Sequence, residues 1–138
     1  MVKASRTINP LHFEDMGGHR FEDLVRQVLH NFRDWFALEA TGRSGSDNGI
    51  DIRGFEPARY LEGPGRGHLQ DRLWIIQCKN YRSMGPAEVR KIVANDLEKQ
   101  SEMPYGYMLV AACTFSKRAY DAFREEASKY GVQQSLMW

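Results

Sequence analysis

Cysteine is scarce. The two thiols in 138 residues, Cys78 and Cys113, stand far apart and outside any CxxC or Cys/His grouping. That argues against a disulfide framework or a structural zinc site and leaves two reduced, packed side chains. Long apolar runs are missing too. No window approaches the roughly 18 residues of a membrane span, and the polar start MVKASRTINP lacks the apolar centre of a signal peptide. The expected compartment is the cytoplasm, with no membrane partner. Charge of one sign is also lacking, since 19 Lys and Arg face 18 Asp and Glu for a net +1. Any basic surface must therefore be local, although 13 of the cations are arginine, the side chain best shaped for phosphate. There is no GxxxxGK[ST], HExxH or GxSxG, and the glycines of Gly42 to Gly49 do not open a helix as a dinucleotide fingerprint would. Nucleotide hydrolysis and zinc proteolysis are thereby disfavoured.

What remains is enough apolar material, 42%, for one core. From Gly18 to Phe36, Phe21, Leu24, Val25, Val28, Leu29 and Phe32 fall at helical spacing. Trp35 to Ala40 reads as a short strand, and Thr41 to Gly49 as a glycine-rich turn before the alternating strand Ile50 to Phe55. Glu56 to Asp71, with Gly63-Pro-Gly-Arg-Gly67, reads as an exposed hairpin loop. Leu73 to Lys79 is apolar on both faces until Gln77, as a central covered strand would be. Pro86 opens a second helix running to about Gln100, with Val89, Ile92, Val93 and Leu97 inward. Tyr105 to Cys113 is another strand. A third helix, capped by Thr114 or Ser116, carries Ala119, Tyr120, Phe123 and Ala127 inward and ends near Gly131. Val132 to Trp138 closes as a strand. The order is α-β-β-β-α-β-α-β, a mixed α/β sandwich in which a meander precedes crossovers.

A polar set stands out at the strand ends. Asp51 follows the glycine turn, and Gln77 and Lys79, two apart, share one face of their strand while Cys78 takes the other. If the two strands pair as a hairpin, the three converge. A carboxylate, an amide oxygen and an ammonium at one sheet edge suit a hard divalent cation and a water attacking a phosphodiester. Taken singly, each is more ordinary. An aspartate after a turn is commonly a cap, a lysine ending a strand commonly reaches solvent, and Glu22 on the first helix would be solvated. His12, His19, His30 and His68 lack ligand spacing. The constellation carries the reading.

Phe21-Glu-Asp-Leu-Val25, Thr41-Gly-x-Ser-Gly-x-Asp-x-Gly-Ile-Asp51 and Ile76-Gln-Cys-Lys-Asn-Tyr81 resemble the three motifs of the Mrr-like restriction endonuclease branch of the PD-(D/E)XK nucleases. Order and spacing agree over most of the chain, and the Phe115-Ser-Lys-Arg-Ala helix start and Lys129-Tyr-Gly-Val132 are similar to the same family's end. The resemblance implies a restriction-endonuclease-like core, a mixed sheet of four or five strands flanked by helices. Residues 1–138 would form a single nuclease domain, one suited to being the nuclease module of a longer protein. It further implies a Mg2+-dependent DNA endonuclease, with Mn2+ as substitute, serving restriction or anti-phage defence. Asp51 would bind the metal, Gln77 would fill a position held by Glu or Asp in most of the superfamily, Lys79 would be the catalytic lysine, and Glu22 would support the metal. Gln77 offers an oxygen without charge, which shifts more of the neutralisation onto Asp51, Glu22 and the scissile phosphate.

Arg43, Arg53, Arg82, Arg90 and Lys91 flank these motifs and are the expected phosphate contacts. With little chain left to read bases, sequence preference would be either absent or supplied by a sensor or recognition domain or protein. Two alternatives stand beside the endonuclease. One is a junction-resolving nuclease acting as a homodimer. The other is a catalytically inactive nucleic-acid-binding module, against which the intact Asp51, Gln77 and Lys79 set argues.

Overall fold

Phe21, Val25 and Leu29 recur every fourth residue and are buried, so one narrow stripe docks the first helix, α1 (Gly18–His30). The computed structural model describes residues 17–41, 49–57 and 71–138. Beyond α1 these form β1 (Ala37–Ala40), β2 (Ile52–Glu56), β3 (Arg72–Lys79), α2 (Pro86–Glu98), β4 (Gly106–Ala111), α3 (Lys117–Ser128) and β5 (Gln134–Met137). The element order is the one expected from the sequence. Most of the Thr41 to Gly49 turn and of the Glu56 to Asp71 loop lies outside the described residues.

The first helix is shorter than its periodicity suggests. It ends at His30, and the Trp35 indole N–H donates to the Leu29 carbonyl at 2.6 Å, adding to the Phe32 backbone N–H that this carbonyl already accepts. Val28, placed inward by spacing alone, is 50% exposed. Asp51 also sits differently, at a bend one residue before β2 rather than within a strand. Ser116 is the cap of α3, its hydroxyl accepting from the Ala119 N–H at 3.1 Å. Gly131 takes φ 75° two residues beyond the Lys129 cap, where the chain turns toward β5.

The five strands form one sheet in chain order, β1-β2-β3-β4-β5. Hairpin pairing makes the first three antiparallel, and the crossovers through α2 and α3 make β3, β4 and β5 parallel. Helices α2 and α3 pack on one face, where Val89, Val93, Leu97 and Phe123 meet Ile75, Tyr107 and Leu109. On the other face α1 covers Trp74, Ile76, Cys78 and Met108. Strand β3 thus feeds both cores by simple alternation.

At the start of β3, Trp74 is fully buried and donates its indole N–H to Glu56 Oε1 at 3.1 Å. Arg33 approaches the other Glu56 oxygen at 3.5 Å and donates to Gln134 Oε1 at 2.7 Å, joining the end of α1 to β2 and β5. The buried carboxylate is therefore paired on both oxygens. Gly106, the register partner of Trp74 on β4, lies directly against the indole. A Cβ there would fall inside the ring, and both backbone and indole are held by the core. Gly106→Ala should lower unfolding free energy by roughly 2–3 kcal/mol in denaturant titration, whereas Gly85→Ala, with open space at its Cβ position, should change it far less.

Candidate active site

The antiparallel register pairs Ile52 with Ile76, so the preceding residue, Asp51, comes beside Gln77. Just before β2 begins, the carboxylate takes the place of a strand carbonyl, and Asp51 Oδ2 accepts from the Cys78 backbone N–H at 2.8 Å. Side-chain alternation then sends Gln77 and Lys79 toward α2 and Cys78 toward α1. Gln77 is buried and its Nε2 donates to Asp96 Oδ1 at 3.0 Å. Lys79 is half-buried, with its Nζ 5.5 Å from the centre of the Tyr81 ring, a cation–π distance. From the opposite layer α1 brings Glu22, whose charge bears on both Asp51 and Cys78. The hairpin and α1 together thus gather Asp51, Gln77, Lys79 and Glu22 at one end of the sheet.

The electrostatics mark this end as strained. Burial raises the Asp51 carboxyl from an ordinary 3.8 to about 6, opposed by the Cys78 N–H and by Lys79 and reinforced by Glu22, through both its charge and a side-chain hydrogen bond. Burial, with Asp51 and Glu22 nearby, pushes the Cys78 thiol well up, so it is an inert packed group and no nucleophile. Two buried side-chain atoms among the described residues have no hydrogen-bond partner, Glu22 Oε2 and Gln77 Oε1. The former lies 3.5 Å from His19 Nδ1, a contact that pairs charges only when that imidazole is protonated. Unpaired buried oxygens are costly and call for an explanation.

A hard divalent cation supplies one. The Asp51 carboxylate, Glu22 Oε2 and Gln77 Oε1 are oxygen donors of the kind Mg2+ accepts, and two positive charges would relieve the repulsion between Asp51 and Glu22. The residues fit such an ion. No group of three or more His, Cys, Asp or Glu side chains able to hold a metal occurs among the described residues. With an amide as third donor, this set has only two such side chains.

The sequence overlooked Asp96. It is 1% exposed on α2 and accepts from Gln77 and, through Oδ2, from the Tyr107 hydroxyl at 2.7 Å. Burial raises it to about 6, the Tyr107 hydrogen bond and Lys79 opposing. Its position was the available signal, because Val89, Val93 and Leu97 define the inward stripe and Asp96 lies on it.

The expected phosphate contacts are scattered. Arg53 pairs with Glu39 across β1 and β2, its Nε donating at 2.9 Å, and its guanidinium stacks on Phe55. Arg90 bridges α2 to α3, donating to Glu125 at 2.7 Å with Glu126 at 3.9 Å. Arg82 and Lys91 are exposed just beyond β3 and on α2, Lys91 lining a cavity of about 490 Å³ with Tyr81 and Asn95. Arg43 lies outside the described residues. No helix among them is long and apolar enough to cross a membrane.

Because the folded pKa of Asp51 is raised, its contribution to stability is fully present below pH 4 and lost as pH rises through about 6. In metal-free protein Asp51→Asn should therefore melt higher than native at pH 7.5. For a half-buried group screened by solvent the gain is on the order of 1 kcal/mol, or roughly 3–5 °C, shrinking toward pH 4. Calorimetry at the two pH values checks this, and identical melting at both would mean that the carboxylate carries no strain.

The family model for the Mrr catalytic domain, described as restriction endonuclease, matches residues 13–133. Comparison with curated proteins and with solved structures gave no match.

Proposed function

The chain belongs to the restriction endonuclease family defined by the Mrr catalytic domain, and from that membership we propose that it is a divalent-metal-dependent endonuclease that hydrolyses DNA phosphodiester bonds in restriction-type defence. One observation carries the metal dependence. Of the two buried oxygens without partners, Glu22 Oε2 belongs to a side chain that acts on Asp51 and Gln77 Oε1 to the residue opposite Asp51 in the strand register. Asp51, Glu22 and Gln77 would hold Mg2+, with Mn2+ as substitute, and the ion would supply charge to polarise a scissile phosphate and acidify a neighbouring water.

The chain's own residues do the remainder. Asp51 is fixed by the Cys78 N–H, so its second oxygen keeps one orientation. Lys79 stands two residues beyond Gln77 on the same face, where its ammonium orients the attacking water and offsets negative charge growing on the phosphate. The Tyr81 ring limits how far that ammonium swings into solvent. Cleavage is a difference in binding between ground and transition states, so losing Lys79 should affect rate more than affinity.

Asp51→Ala should abolish nicking of supercoiled plasmid in Mg2+ while remaining folded. Lys79→Ala should lose on the order of 10²-fold in rate with DNA affinity nearly unchanged. Full activity of Asp51→Ala, in a preparation free of other nucleases, would defeat the assignment. A proportional fall of rate and affinity in Lys79→Ala would make Lys79 a phosphate contact only.

DNA is held through its phosphates at Arg82 and Lys91, with Arg43 in the motif ahead of Asp51 as a further contact. Neutralising Arg82 and Lys91 together should weaken DNA binding and flatten its dependence on salt by about two phosphates, a change of roughly 1.8 in log–log slope. Arg90→Ala should leave that slope intact and instead reduce stability slightly, because its partners are on α3. An unchanged slope for the double variant would place the DNA elsewhere.

A further inference from the structure

Glutamine is a two-ended ligand. Its oxygen can face a cation, but its NH2 cannot, and in an isolated side chain nothing decides which end faces where. Here Asp96 decides it. The Gln77 Nε2 and the Tyr107 hydroxyl each donate to a separate Asp96 oxygen, at 3.0 and 2.7 Å. Tyr107 is fully buried and Asp96 nearly so, which shields the arrangement from bulk solvent. Asp96 is held further by its own backbone, whose carbonyl accepts from Gln100 Nε2 at 2.9 Å. A carboxylate has no proton to give, so turning the Gln77 amide over would set two oxygens against each other in a buried pocket. The amide oxygen is thus forced to the other side, where Oε1 is buried and unpartnered.

We infer that Asp96 is a positioning residue that fixes the Gln77 amide with its oxygen toward the metal site, and that the glutamine and the aspartate function as one unit. This rests on the metal reading above. The unit accounts for the residue at position 77. A glutamate there would place its carboxylate against that of Asp96, with no donor between them. The negative charge that a Glu at 77 would bring to the ion stands one step behind it, on α2. Exchanging the two roles, Gln77→Glu with Asp96→Asn, keeps the count of one carboxylate and one amide. The Asn Nδ2 can then donate to the new carboxylate while its Oδ1 accepts from Tyr107.

Mn2+ affinity by calorimetry and plasmid nicking, measured on the native chain, Asp96→Asn, Gln77→Glu and the double variant, test the unit. Asp96→Asn, which can donate or accept toward Gln77, should lose on the order of 10-fold or more in Mn2+ affinity, as loss of a ligand's supporting partner does. Gln77→Glu alone should bind Mn2+ less well than the double variant. The double variant should return to native affinity or better and recover nicking, a non-additive cycle. Should Asp96→Asn fail to fold, the comparison of Gln77→Glu with the double variant still decides. In the native chain, the Gln77 side-chain amide protons should exchange slowly with solvent both with and without Mg2+, because they face Asp96. Native affinity in Asp96→Asn, additive effects in the cycle, or fast exchange of those protons overturns the proposal while leaving the metal site standing. A native chain that takes up no Mn2+ overturns the metal reading and this inference with it.

Discussion

Strand β3 has helices on both faces, so it offers no solvent side along most of its length, and every residue in it must belong to one core or the other. Trp74, Ile76 and Cys78 go to the α1 side and Ile75 goes to the α2 and α3 side. Polar groups can enter only where the two cores run out, and there each must find a partner at once. This is the constraint that shapes the site. Gln77 takes a donor role toward α2, and just before β2 a carboxylate takes the place of a strand carbonyl. Had β3 been an edge strand, the same residues would have been solvated and free to adopt many orientations.

The arrangement trades stability for poise. Asp51 and Asp96 are both held above the ordinary carboxylate range by burial, and the oxygens of Glu22 and Gln77 are left without donors. A folded chain tolerates a few such debts only because the remainder is well compensated. The cores on either side of the sheet are continuous, and the buried Glu56 at the far end of β3 is paired on both oxygens by Trp74 and Arg33. One end of the strand is therefore closed electrostatically and the other is open. The open end is where a cation would complete the missing pairs.

Element order, the hairpin and the shared face of Gln77 and Lys79 were legible in the sequence, because alternation and helical spacing are local properties that a buried strand or stripe must display. The three motif segments stood out instead by their resemblance to a known family. The exposure of Val28 was not legible, since only tertiary packing decides how wide a docking stripe is. Nor were the roles of Arg53 and Arg90, which depend on the partners that pairing and helix docking bring within reach, Glu39 and Glu125. Asp96 was half legible. Its place on an apolar stripe can be read from Val89, Val93 and Leu97, but the amide and hydroxyl that make that place tolerable come from β3 and β4.

Helix α1 is secured at its far end, through the Trp35 indole on the Leu29 carbonyl and the Arg33 side chain on Gln134 of the last strand, while Glu22 stands near its beginning. Glu22 and Leu29 are seven residues apart, roughly 10 Å along the helix at about 1.5 Å per residue. The oxygen it carries thus comes from a layer that the β2–β3 hairpin does not contain, and that layer is tied to β5 through Arg33 and Gln134. With α1 undocked, the hairpin alone would bring Asp51 beside Gln77 and Lys79 but would leave Glu22 elsewhere. Gathering these side chains is coupled in this way to the packing of α1 on the sheet and, through Arg33 and Gln134, to the placement of β5.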